Sequence, residues 1–174
     1  MSTNWYVITG APSSGKTTTV NLLKERGYKT TIEHARHYID TQRVEGKTVE
    51  EIKSNQLAFQ KGVLEMQLAQ EKELSADEVV FLDRAIPDAM AYYRFLKLEP
   101  DQALLDALKE MAYKKVFILD PLPLVADYAR TEDVAAQQEL HKLLTEVYEE
   151  LSIPVVHVPV LPVKERVDFI LNNL

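Results

Sequence analysis

The chain has 174 residues with 46% hydrophobic content, enough to build one packed core of ordinary domain size. Its 20 basic and 27 acidic side chains give a formal net charge of −7 at pH 7, which disfavours a nucleic-acid backbone or an anionic membrane surface as partner. No cysteine is present, which excludes disulfides, thiol nucleophiles and cysteine-held zinc.

Met1 to Asn4 lead straight into an apolar, β-prone run, Trp5-Tyr6-Val7-Ile8-Thr9, leaving no room for a signal peptide. No apolar stretch approaches the ~20 residues of a membrane span. The expectation is a soluble, cytoplasmic protein. The strand at 5–9 is followed by Gly10-Ala11-Pro12-Ser13-Ser14-Gly15-Lys16-Thr17, a full match to the phosphate-binding pattern G-x-x-x-x-G-K-[ST]. A helix over 16–26, stopped at Gly27, completes the strand–loop–helix arrangement that this pattern needs. The chemistry is electrostatic. Gly10 permits a sharp turn, and Gly15 lets backbone approach an anion with no side chain in between. Amides of Ser13, Ser14, Gly15, Lys16, Thr17 and Thr18 converge on the β-phosphate at a helix N-terminus. Lys16 reaches the β- and γ-phosphates, and the Thr17 hydroxyl ligates Mg²⁺. Nucleoside triphosphate binding is therefore expected, with ATP preferred because the guanine-reading Asn-Lys-x-Asp element is absent.

A second strand is expected over 28–33, followed by a mostly helical stretch to residue 74. Glu33 and Arg36 come just after that strand: Glu33 can hold a sugar hydroxyl or act as base, and Arg36 can hold an acidic group, although both also suit a helix start. His34 and His37 lie three apart without a third metal ligand and read as surface residues. Ile52, Phe59, Val63 and Met66 share one helical face that Leu57, Leu64 and Leu68 widen, which predicts a well-buried helix. Val79 to Leu82 form the third strand, ended by Asp83. A carboxylate there suits the metal-holding role of phosphate-loop enzymes, in the same crevice as Lys16 and Thr17. Arg84 can bind a phosphate of the second substrate or charge developing on the transferred group; a helix cap and a surface ion pair are the bland alternatives for these two.

A helix from Pro87 to about Lys97 follows, with proline in its first turn, and then a helix over 101–112. The Tyr92-Tyr93 pair and Phe59 are candidates for a base or sugar pocket, although aromatics at helical spacing more often belong to a core. The fourth strand covers 116–119; Asp120 ends it and competes with Asp83 for the metal, but precedes Pro121 and reads as a turn. Residues 120–133 form a loop, 134–151 a helix, 155–158 the fifth strand and 163–171 the last helix. His157 reads as a core or pocket-edge residue. Near-continuous apolar strands alternating with helices describe a single α/β domain, a parallel sheet with helices on both faces.

The run from Val80 to Tyr92, with Asp83-Arg84 at its centre, resembles the Asp-Arg element of thymidylate-kinase-like enzymes. More closely, the chain resembles a family of small AAA-type ATPases that includes the kinase domain of bacterial nicotinamide riboside kinase. The matching pieces are Ile8-Thr9-Gly10 with the loop, Glu33-His34-Ala35-Arg36, Asp83-Arg84, Arg130-Thr131-Glu132-Asp133, Leu143 to Leu151 with Tyr148, and Glu165-Arg166-Val167. The resemblance implies a nucleoside and nucleotide kinase-like fold with strand order 2-3-1-4-5. It also implies that 120–133 is a lid whose Arg130 closes over the nucleotide phosphates. Lids of adenylate-kinase-like enzymes carry several arginines; this one has Arg130 alone.

The expected function is a Mg²⁺-dependent phosphotransferase moving the γ-phosphoryl of ATP to a small acceptor, a nucleoside or related metabolite. Lys16, Asp83, Arg84, Arg130 and Glu33 are its candidate catalytic residues. The alternative is a nucleotide-dependent switch or slow ATPase acting through a protein partner. The sequence leaves a monomer or a homodimer equally open. Lys16→Ala is expected to remove triphosphate binding and leave the fold intact.

Overall fold

The computed structural model describes residues 2–33, 46, 48, 51, 55–123 and 133–174. Five strands, β1 (Trp5–Thr9), β2 (Lys29–Thr30), β3 (Val80–Asp83), β4 (Lys115–Leu119) and β5 (Val155–Val158), make one parallel sheet in the order β2-β3-β1-β4-β5. Six helices are described: α1 (Lys16–Glu25), α2 (Gln56–Lys72), α3 (Ile86–Phe95), α4 (Gln102–Glu110), α5 (Asp133–Glu150) and α6 (Val163–Leu171).

Strand alternation divides the core in two. Val7, Val80, Leu82, Val116 and Ile118 point to one face, where Leu64, Met90, Tyr93, Leu104, Leu144 and Tyr148 of α2 to α5 cover them. Tyr6, Ile8, Phe81, Phe117 and Leu119 point to the other, covered by Val20 and Leu23 of α1 and by Val167 and Ile170 of α6. Strands β1, β3 and β4 are thus buried on both sides, as their apolar runs predict. Their carboxyl ends converge on the start of α1, so the loop after β1 and the residues after β3 and β4 share one edge.

Two elements differ from the sequence expectation. Strand β2 is only Lys29–Thr30, not 28–33. The Tyr28 amide donates to Leu23 O at 3.2 Å and so finishes α1. Beyond β2, the Thr31 amide donates to Phe81 O at 3.1 Å while the Thr31 hydroxyl accepts from the Asp83 amide at 2.9 Å. That hydroxyl replaces a ladder bond, and the chain leaves the sheet in time to carry Glu33 into the crevice. Helix α2 is not well buried. Its buried stripe is Gln60, Leu64 and Gln67, whereas Leu57 is 39% exposed and Phe59, Val63 and Met66 are half-buried. Among the described residues the helix packs chiefly on α3, and only the stripe facing it and the core is buried. Ile52 lies outside the described residues.

Candidate phosphate-loop site

Ser13 (φ 63°) and Gly15 (φ 82°) both take the left-handed conformation, which turns successive backbone N–H groups to one side and makes a concave anion nest. Gly15 is the N-cap of α1, and no side chain caps that helix, so the first-turn amides of α1 stay directed at the concavity. A Cβ at Gly10 would lie 2.6 Å from Ser14 Oγ and 2.9 Å from its Cβ; glycine here is a packing requirement. Ser14 Oγ is itself buried, without a hydrogen-bond partner among the described residues.

Two residues that sequence reasoning gave no role hold this loop from behind. Arg166, only 2% exposed, donates from Nη1 to Ser14 O, from Nη2 to Asp120 O at 2.7 Å and from Nε to Pro159 O at 3.0 Å. Burial pulls its pKa down, with Asp120 opposing. Gln137 of α5 donates to Pro12 O at 2.9 Å and to Leu122 O at 3.4 Å. The available signal was positional: Arg166 lies one residue before Val167 and four before Ile170, on the buried stripe of α6.

Lys16 is buried, and its ammonium sits between two carboxylates, paired with Asp83 Oδ1 and 3.4 Å from Glu33 Oε2. Burial raises the Asp83 carboxyl above its usual range, and the Lys16 charge pulls back only in part. Next in the chain, Arg84 adopts a left-handed φ of 68°, held because its amide donates to Ile8 O at 3.0 Å. The turn aims its guanidinium across the Tyr92 ring, 5.3 Å from the centroid, with Nε 3.6 Å from Glu33 Oε1 and Nη1 3.6 Å from Asp88 Oδ2. Burial opposes the Arg84 charge, but Tyr92, Asp88, Glu33 and Asp83 together more than offset it and keep the guanidinium protonated. Nε and Nη1 are buried and make no hydrogen bond among the described residues.

Asp88, also unassigned from sequence, is the buried anchor of this corner. It accepts from Thr9 Oγ1, from Tyr148 Oη and from the Ala85 amide at 3.1 Å. As the third residue of α3 it also faces that helix's positive end.

A cavity of about 350 Å³ joins these parts, lined at one end by residues 11–18 of the loop and at the other by Glu33, Arg84 and Tyr92. The structure thus brings together Gly10, Ser13, Ser14, Gly15, Lys16, Thr17, Thr18, Glu33, Asp83 and Arg84. The aromatic candidates separate: Tyr92 lines the cavity, Tyr93 is core, with its hydroxyl 3.2 Å from Asp101 Oδ2, and Phe59 does not line the cavity. His157 is no core residue; its side chain is 44% exposed at the sheet edge. Asp120 turns its carboxylate to His141 and His157, at 4.0 and 3.9 Å. Burial lowers the His141 pKa, against the pull of Asp120. Arg130, Arg36, His34 and His37, with most of the expected lid, lie outside the described residues.

A parallel sheet with a glycine-cradled concavity at the carboxyl edge of its central strand defines a phosphate-loop α/β domain. A family model described as AAA domain matches residues 5–166, and the chain belongs to that family. Comparison with curated proteins gives no match. Among solved structures, deoxyadenosine kinase from M. mycoides with products dCMP and dCDP is similar at TM-score 0.60 and 19% identity, over 97% of both chains. Thymidylate kinase from Ehrlichia chaffeensis is similar at TM-score 0.62 and 14% identity, over 99% of both chains. NadR protein in complex with NAD and AMP-PNP is similar at TM-score 0.66 and 18% identity, over 98% of this chain and 49% of that one, so this chain spans about half of NadR. These likenesses are of fold. Among the described residues, no helix is long and apolar enough to cross a membrane.

Proposed function

We propose that the protein is a phosphotransferase that moves the γ-phosphoryl of ATP to a hydroxyl of a small acceptor, a nucleoside or related metabolite. One observation carries this reading: the phosphate loop and an acceptor-side trio, Glu33, Arg84 and Tyr92, line the same cavity. The Arg84 guanidinium stays charged opposite the loop, with Nε and Nη1 making no hydrogen bond among the described residues, which suits it to hold an acceptor group or the charge on the transferred phosphoryl. The similar solved structures named above include a deoxyadenosine kinase with dCMP and dCDP and a thymidylate kinase, which supports the same class.

In the proposed reaction the triphosphate lies on the amides of residues 13–18, and Lys16 exchanges its carboxylate partners for the β- and γ-phosphate oxygens. The acceptor oxygen attacks the γ-phosphorus, the bond to the β–γ bridging oxygen breaks, and ADP leaves. The hydroxyl proton passes to Glu33 or Asp83, both within reach of Lys16. Arg84 binds the acceptor or the charge on the transferred group, while Arg130 is assigned to the nucleotide phosphates. The Thr17 hydroxyl and Asp83 carboxylate are hard oxygen donors of the kind Mg²⁺ takes and would hold it. When bound, the ion would neutralise charge on the β,γ-oxygens.

The test is a panel of nucleosides and related metabolites incubated with ATP and Mg²⁺, with products read by mass spectrometry. The reading expects one acceptor class to gain a phosphoryl group, and Arg84→Ala to lose transfer by ~100-fold or more. Slow hydrolysis with every acceptor, or stimulation only by a protein or nucleic acid, would replace it with a nucleotide switch.

A further inference from the structure

Asp120, His141 and His157 come from three elements, the end of β4, the middle of α5 and the middle of β5. Parallel pairing sets Ile118 opposite His157, and the Asp120 amide extends the ladder by donating to Val158 O at 2.9 Å. These constraints place the Asp120 carboxylate beside the His157 ring, and α5 brings His141 over both. One ligand atom of each residue lies within 4.8 Å of the other two. Asp120 Oδ1 is 3.9 Å from His157 Nδ1 and 4.0 Å from His141 Nε2, and the two imidazole centroids are 6.0 Å apart. Those separations exceed a hydrogen bond, so the three groups converge without bonding one another. A cation holding tetrahedral ligands at ~2.1 Å would set them ~3.4 Å apart, roughly half an ångström closer than the Asp120 carboxylate stands to either imidazole.

We propose that Asp120, His141 and His157 bind one divalent transition-metal ion, Zn²⁺ being the best match, with solvent completing the coordination. Two imidazole nitrogens and one carboxylate are a borderline ligand set that suits Zn²⁺ and its neighbours; Mg²⁺ prefers oxygen alone. The site is separate from the phosphate loop but fastened to its rear. Arg166 spans from Asp120 O to Ser14 O, and Gln137, one turn before His141 on α5, holds Pro12 O. An ion joining β4, β5 and α5 therefore stiffens the scaffold that supports the loop.

The test uses the full, untagged chain, stripped with chelator and titrated with Zn²⁺ by calorimetry without nucleotide. One ion per chain is expected, with Co²⁺ substitution giving the visible absorption of a low-coordinate site and with Mg²⁺ giving no heat. His157→Gln alters an exposed edge residue and is expected to fold normally by circular dichroism. It and Asp120→Asn should each weaken Zn²⁺ binding more than ~100-fold, beyond the usual loss from removing an outer-shell partner. The chain has four histidines, so His34→Gln/His37→Gln is the matched control and should bind as the parent does. Absence of Zn²⁺ binding, retention of it in His157→Gln, or its loss only in the control variant would each overturn the site.

Discussion

The Lys16 ammonium is held between Asp83 and Glu33, so removing it does two things at once. Lys16→Ala deletes the cation that phosphates need, and it also strands a buried carboxylate. Breaking such a pair costs up to about 3–5 kcal/mol, and the variant should be measurably less stable in denaturant unfolding. Asp83→Asn in the same chain removes the stranded charge and should restore most of the loss, whereas equal stability of Lys16→Ala and the parent would deny the pairing. A second residue-scale prediction concerns Glu71. Tyr113 Oη donates to it at 2.8 Å and Gln67 Nε2 at 3.0 Å, yet burial raises its pKa above 4.5. The folded state then binds this proton more tightly than the unfolded one. The associated stability is full below about pH 4.5 and is lost as pH rises through the folded-state value. Glu71→Gln should therefore raise the melting temperature at pH 7 and have no effect at pH 4; a gain of equal size at both would contradict the burial argument.

At the scale of elements, the loop depends on glycine for two different reasons. A methyl at Gly10 meets Ser14 at 2.6 Å and Leu119 O at 3.2 Å, while one at Gly15 requires a left-handed alanine 3.1 Å from Arg166 Nη1. The latter strain alone costs roughly 1–2 kcal/mol. Either substitution to alanine should weaken ATP binding in calorimetry by ten-fold or more and leave the helical circular dichroism unchanged; parent-like affinity would show that the nest is not the anion site. This loop was readable from sequence because strand, pattern and helix are contiguous, and Asp83-Arg84 because it ends an apolar run. The supports behind them were not. Arg166 reaches Ser14 across 152 residues, Gln137 reaches Pro12 across 125 and Thr9 reaches Asp88 across 79, and no local pattern encodes such partners. Strand β2 and helix α2 depart from their local sequence patterns for a related reason. A threonine hydroxyl ends one, and the other buries only the stripe that faces α3 and the core; both are tertiary facts.

Across the whole molecule, the core on the α2-to-α5 face of the sheet meets the site through Asp88. Its carboxylate joins the end of β1, the start of α3 and Tyr148 of α5, all buried. A hydrogen bond to a buried charge is worth about 1.5–3 kcal/mol, so Tyr148→Phe should lower unfolding free energy by that order. It should also reduce catalysis by loosening Arg84, which shares Asp88 at 3.6 Å; unchanged stability would mean that Asp88 is satisfied without Tyr148. Every role assigned to the site depends on the seating of a triphosphate at the start of α1, and isothermal calorimetry with ATP and Mg²⁺ measures this directly. ATP should bind one per chain, AMP far more weakly, and Lys16→Ala/Asp83→Asn at least ~100-fold more weakly than the parent. Absence of heat with ATP, or equal affinity for ATP and AMP, would contradict it.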